Sequence, residues 1–318
     1  MRIEDYGLIG DLHTAALVGR DGSVDWLCLP RFDSGACFAA LLGGPEHGHW
    51  LITPSGEVRR RSRRYRPGTL VLESEVETAD GAVRIVDFMP HRGEAAHLVR
   101  IVEGLRGQVA MRSEVVPRFD YGAAIPWIEP VAGGVSAVAG PDALLLQTLA
   151  GMREQDGAIL AEFTVNAGER VPFVLSWHPS HLPPPEPLDG IAALEVTEDW
   201  WRKWSGRCTY NGDKRELVLR SLITLKALTY EPTGGIVAAP TTSLPESIGG
   251  VRNWDYRYCW LRDSSLTLKA LMLGGYTEEG RSFGDWSLRA VAGHPKQART
   301  LYGVAGERRL PEATLPWL

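Results

Sequence analysis

Between His178 and Gly190 the chain runs HPSHLPPPEPLDG, and its five prolines separate two stretches of different hydrophobic period. Before the break, apolar residues alternate with polar ones at the period of two that suits strands. After it they recur at the period of about 3.6 that suits helices. A chain that changes period once, at a segment unable to continue either element, must fold as a strand region followed by a helical region.

The strand region is punctuated by turn residues. TAALVGRDGSVDWLCLP reads as two runs around Arg20, Asp21 and Gly22, and TLVLESEVETADGAVRIVDFMP as two more around Ala79, Asp80 and Gly81. HLVRIVEGLRGQVAMRSEVV, DALLLQTLA and AEFTVNAGERVPFVLSW continue the pattern, which predicts an antiparallel β-sandwich of six or more strands over about residues 1–180. ACFAALLGG reads as an inserted helical turn or two. A linker and linker helix follow over 181–210; TEDWWRKWSGR is read as capped by Thr197, with Trp200, Trp201 and Trp204 docking on a neighbour.

Residues 211–318 carry about three main helices. DKRELVLRSLITLKALTY is amphipathic, with Leu219, Leu222, Ile223 and the Leu225–Leu228 stretch inward and Lys214, Arg215, Arg220 and Lys226 outward. Each helix has a wide apolar surface, and the text stops at LPEATLPWL without a capping element, so the expectation is an unfinished helical domain that self-associates into homo-oligomers or aggregates.

The chemistry-bearing stretch is VRNWDYRYCWLRDSSLTLKAL. Trp254, Tyr256, Tyr258 and Trp260 fall at every second position, with Asp255, Arg257 and Cys259 between them, and a helix with Asp263 as its cap follows. Flat rings beside charged donors and acceptors suit a sugar, whose C–H faces stack while its hydroxyls need oriented partners. The same pattern also fits aromatic core packing with an Arg–Asp helix cap, or a protein interface rich in Trp, Tyr and Arg.

Bulk properties narrow the classes. A length of 318 residues favours two domains, and 44% hydrophobic with 23% charged residues is ordinary globular composition. The net charge of −5 argues against nucleic acid as a partner. The local exception is RRRSRRYR, with six arginines between Arg59 and Arg66; flanking carboxylates make it read as a solvated strand edge. No apolar run reaches membrane-spanning length and the first residues lack signal-peptide character, which points to the cytoplasm and away from a membrane. Cys28, Cys37, Cys208 and Cys259 read as buried free thiols. His47 with His49 and His178 with His181 lack matching ligands, so no metal and no cofactor are expected.

GGIVAAPTTSLPESIGGVRNWDYRYCWLRDSS, Gly234 to Ser265, resembles the bacterial glucoamylase and trehalase-like members of glycoside hydrolase family 15. IEDYGLIGDLHTAALVGRDGSVDWLCLPRFDSGACFAALLG and RRYRPGTLVLESEVETADGAVRIVDFMP resemble that family's N-terminal domain. The resemblance implies a multi-domain β + α fold: an N-terminal antiparallel β-sandwich, a linker, and over 211–318 the first helices of an (α/α)6 barrel. It implies that Arg262 and Asp263 hydrogen-bond the terminal glucose of an α-glucoside, that Trp260 walls the site, and that Trp254, Asp255 and Tyr256 support it.

The family's inverting hydrolysis needs a general-acid and a general-base glutamate roughly 6.5–9.5 Å apart. Neither motif is found here, so the expectation is a truncated, inactive chain of an exo-acting trehalase or glucoamylase. Glu246 in SLPES is the one weak catalytic candidate, read more readily as a supporting group. The alternative is a non-catalytic carbohydrate-binding or regulatory protein using the aromatic floor alone.

Overall fold

The computed structural model describes residues 1–318 except Ile248, Val251 and Pro311. The strand region is organised by one long strand, Ala96–Val116. Its first half pairs with Gly81–Phe88 and Arg170–Pro179, and its second half with His49–Pro54 and Ala158–Asn166, all antiparallel. The hand-over comes at Gly104–Gly107, where Gly107 takes φ of +66°, a conformation that only glycine adopts without cost.

Side chains from both sets of partners meet in a common core that includes Ile9, Trp50, Ile85, Val102, Met111 and Leu175. Arg100 is fully buried within it, donating to Asp87 Oδ1, the Trp50 carbonyl and the Gly22 carbonyl, each at 2.7 Å. A buried guanidinium is tolerable only when its donors are satisfied in this way.

The turns read from the sequence are where expected: Ala15–Gly19 and Ser23–Cys28 flank Gly22, whose φ is +96°, and Leu72–Glu77 pairs with Gly81–Phe88. ACFAALLGG is not helical. Ala36–Phe38 is a short strand on Ser23–Cys28, and burial of Ala36, Phe38 and Ala39 against the sheet supersedes its local helix preference. The arginine run forms the strand Arg60–Tyr65 on Leu72–Glu77, with Arg64 and Arg66 both paired to Glu73.

Helix α1, Gly190–Ser205, begins well before Thr197. Its cap is Asp189, whose Oδ1 accepts from the N–H groups of Ile191 at 2.9 Å and Ala192 at 3.1 Å, while Thr197 is interior and donates back to the Ala193 carbonyl. A carboxylate facing the exposed N–H groups of the first turn is the stronger stop. Trp201 and Trp204 are buried as expected, and Arg66 joins this helix to the strand region through Glu198.

Helix α2, Arg215–Ala227, leads into the small hairpin of Thr229–Tyr230 and Gly235–Ile236. Lys226 does not point to solvent: it is buried, with Nζ 3.2 Å from Glu279 Oε1. Arg220 is also drawn inward, 4.1 Å over the Tyr65 ring and donating to the Thr69 carbonyl. In both cases a partner on another element, invisible to the helix pattern, decides the side chain's direction.

Helix α3, Leu261–Leu273, packs on α4, Thr277–Val291, and through Leu271 on α2, while α4 meets α2 at the Glu279–Lys226 pair. Apolar residues remain exposed on all three, among them Leu217, Leu266, Leu273 and Leu288. Among the described residues, no helix is long and apolar enough to cross a membrane.

Candidate functional site

The aromatic segment is extended at its two ends but bends at Arg257 and Tyr258, so it does not run as the single extended stretch its alternation predicts. Asn253–Asp255 pairs with Thr242–Pro245, and Cys259–Trp260 pairs with Leu301–Tyr302. Ile248 and Val251, both within the motif, lie outside the described residues. Asp263 does not cap α3; the helix starts at Leu261 and places Asp263 in its first turn, where a carboxylate favourably faces the positive end of the helix dipole.

The burial of the two faces is the reverse of aromatic core packing. Arg257 is 4% exposed and Cys259 fully buried, whereas Trp254 is 44% exposed and Tyr256 and Trp260 are half-buried. The rings of Tyr256 and Trp260 lie 5.9 Å apart at 37°, and the Arg262 guanidinium sits 6.0 Å over Trp260. Arg262 reaches Asp263 Oδ2 through Nη2 at 3.1 Å, with its own side chain largely in solvent. Trp260, Tyr256, Arg262 and Asp263 are thus brought together as a partly open surface of rings and charges.

Trp254 and Glu246 form a second pair, the indole N–H donating to Oε1 at 2.7 Å. Glu246 also lies 3.8 Å from Arg252. Asp255 faces inward: its two carboxylate oxygens accept from Arg257 Nε at 3.0 Å and Nη2 at 2.7 Å, and its backbone carbonyl accepts from the Trp260 indole at 2.9 Å. Asp255 therefore holds the floor from beneath.

Arg257, not singled out among the sequence candidates, is the most connected residue of the segment. Burial opposes its charge, but the Asp255 carboxylate forked onto it outweighs that and raises its pKa above the ordinary arginine value. Burial pushes the Cys28 thiol up to about 11, so it stays protonated. The only sequence signal for Arg257 was its place on the non-aromatic face of the alternation.

A cleft of about 470 Å³ lies elsewhere, between α1, the end of α2 and the start of α4, with Trp200, Lys226, Glu231 and Glu279 in its walls. Arg207 and Lys226 are paired with Glu279, and Glu231 with His91, and the cleft contains none of Glu246, Trp254, Asp255, Tyr256, Trp260, Arg262 or Asp263. All four cysteines are free and buried. Among the described residues, no group of three or more His, Cys, Asp or Glu side chains is placed to hold a metal.

Residues 1–175 match the family described as trehalase-like, N-terminal, and residues 212–318 match glycosyl hydrolases family 15. The chain belongs to the trehalase-like, N-terminal family over its first part and carries a glycosyl hydrolases family 15 segment after it. Similar proteins include a trehalase of Thermoplasma volcanium, 32% identical over 99% of this chain and 52% of its own length. A trehalase of Mycolicibacterium smegmatis is 35% identical over 98% of this chain and 51% of its own. The chain thus spans about half the length of the curated relatives it matches. A bacterial glucoamylase solved in complex with acarbose superposes with a TM-score of 0.68 over 96% of this chain and 52% of that one, at 12% identity, a likeness of fold.

Proposed function

We propose that this chain contributes the sugar-binding floor of an inverting, exo-acting α-glucoside hydrolase that releases glucose from trehalose or a short malto-oligosaccharide. The observation that carries the reading is the burial pattern of the aromatic segment: the rings of Trp254, Tyr256 and Trp260 are left partly open while Arg257 and Cys259 are buried. Rings spared for solvent beside an Arg–Asp pair are what a glucose unit requires for stacking and hydroxyl recognition. Arg262 and Asp263 would bind the hydroxyls, Trp260 would form the wall, and Trp254, Asp255 and Tyr256 would support it. The trehalase relatives favour trehalose as substrate.

The domain reading that goes with this is a β-sandwich over 1–180, a linker and linker helix over 181–210, and the first helices of an (α/α)6 barrel over 211–318. Glu246 is occupied by Trp254, and Asp263 is paired with Arg262. Neither is free for the acid or base role, so residues 1–318 alone are expected to bind glucosides without hydrolysing them. The exposed apolar faces of α2, α3 and α4 make self-association of this chain the expected state in light scattering.

The test is a titration of the 318-residue chain with trehalose and with maltose, read by tryptophan fluorescence, alongside an assay for released glucose. A saturable change that is lost in Trp260→Ala and in Asp263→Asn, with no glucose formed, is the expected result. No saturable change with either sugar would remove the floor reading. Glucose release abolished by Glu246→Gln would instead make that residue catalytic.

A further inference from the structure

We infer that Arg257 is a positioning residue: it clamps the sugar-binding floor onto the strand region, so that Trp260 is held in place by residues of Ser23–Cys28 and its following loop. The inference rests on the reading of the aromatic segment as a glucoside floor, and extends it to a residue that the floor itself does not expose.

The connections run outward from the buried guanidinium. Nη1 donates to the Ser34 carbonyl at 2.8 Å and contacts Cys28 Sγ at 3.5 Å, both in the strand region. The guanidinium also lies 5.4 Å over the Tyr121 ring, again in the strand region. On its other side, Nε and Nη2 hold both oxygens of Asp255. The backbone carbonyl of Asp255 in turn accepts the Trp260 indole N–H. Three consecutive links, Ser34 to Arg257, Arg257 to Asp255 and Asp255 to Trp260, therefore join the loop after Ser23–Cys28 to the ring that would stack on the sugar, and each is directional.

A planar fork matters here. One face of the guanidinium covers Tyr121 while its edges satisfy a carboxylate and a carbonyl at once. Lysine could reach one of these partners as a point charge but could not span both, and an apolar residue of similar length would leave the Asp255 carboxylate without its counter-ion. Arg257 touches no position open to a ligand, being almost wholly buried; its effect on binding would be carried through Trp260.

The experiment uses the 318-residue chain labelled with 15N at tryptophan, the Trp260 indole resonance being assigned with Trp260→Phe. Arg257→Met is expected to displace the Trp260 indole signal, and Arg257→Lys to displace it less. The indoles of Trp50 and Trp177, bonded to Ser113 and Asp142 in the strand region, should stay in place and report that the fold is intact. Should Arg257→Met fail to fold, Asp255→Asn keeps the side-chain shape and the backbone acceptor while removing the charge from the fork, and the same displacement is expected. A Trp260 indole unmoved in the folded variants overturns the inference.

A second arm adds maltose. Wild-type chain should show perturbation of the Trp260 indole, with the dissociation constant raised roughly tenfold or more in Arg257→Met, as expected when a stacking group is misplaced, and partly restored in Arg257→Lys. If maltose leaves the wild-type Trp260 signal unchanged, the floor reading falls, while the position of that signal in the variants without sugar still decides whether Arg257 holds Trp260.

Discussion

The indole N–H of Trp26 in the strand region donates to the carbonyl of Pro240, ahead of the aromatic segment, at 2.7 Å. Trp26 is fully buried, so its bond ties the extended chain of the helical region directly to a core strand. Trp26→Phe retains most of the ring but leaves the Pro240 carbonyl without this donor. The expected loss is about 0.5–1.5 kcal/mol in urea unfolding, the net worth of one hydrogen bond whose half-buried acceptor can still meet water. The loss should be accompanied by a change in the near-ultraviolet circular dichroism of the aromatic segment. A variant as stable as wild type would show that the contact between the two regions does not depend on this bond.

Gly22 is required by both backbone and neighbours. Its φ is +96°, and a Cβ there would lie 2.4 Å from the Ile52 carbonyl oxygen. Its own carbonyl accepts from Arg100, so displacing the turn also disturbs the buried guanidinium. Gly22→Ala is expected to cost about 1–3 kcal/mol from the backbone alone, with the close contact adding to it. The thermal midpoint should fall correspondingly, whereas Gly56→Ala, with open space around the added carbon, should change little.

These two residues show what could be read in advance. Gly22 stood out because a turn between alternating runs needs a positive φ, a local requirement written in neighbouring residues. Trp26 looked like any alternating apolar position, and nothing local discloses an acceptor 214 positions away. The same division runs through the rest of the chain. The change of period at the prolines, the hairpin turns and the two-faced alternation of the aromatic segment are local patterns and were readable. The inward turn of Lys226 toward Glu279 and of Arg257 toward Ser34 depends on long-range partners. The Asp189 cap was local and could have been found: an aspartate after a proline-rich run and before Ile191 is a helix-start signal, but the tryptophans downstream drew the boundary toward Thr197.

The acid side of the stability profile should carry a histidine step. Burial lowers the pKa of His97, the Arg92 charge lowers it further, and Asp11 opposes them; His13 is lowered in the same order of burial and then Arg92. A histidine whose folded pKa is depressed is protonated first in the unfolded chain, so as pH falls below about 6.5 the unfolded state binds more protons and stability declines. Urea midpoints measured from about pH 7 down to about pH 5 should therefore fall for wild type, fall less for His97→Gln, and fall least for His13→Gln with His97→Gln. An unchanged slope in His97→Gln would show that its burial does not govern its protonation.

Glu279 joins three elements of the helical region. Its Oε1 accepts from the Trp204 indole at 2.7 Å, and lies 3.2 Å from Lys226 Nζ and 3.3 Å from Arg207 Nη2. Trp204 also stacks on Tyr276 with ring centres 4.0 Å apart, so α1, α2 and the start of α4 meet at one carboxylate. Burial would raise the pKa of Glu279, but Lys226 and the Trp204 bond prevail and hold it below the ordinary carboxylate range. Its charge therefore stabilises the fold at neutral pH, and that contribution fades as pH falls through the lowered value. Glu279→Gln keeps the shape but strands the buried Lys226 ammonium, and is expected to cost about 3–5 kcal/mol. Lys226→Met should cost less, because Arg207 and Trp204 still serve the carboxylate. If the pairing is the cause, the double variant will be markedly more stable than the sum of the single losses implies, since removing both charges leaves neither uncompensated. Additive losses in that cycle would instead assign the cost to packing around Trp204 and Tyr276.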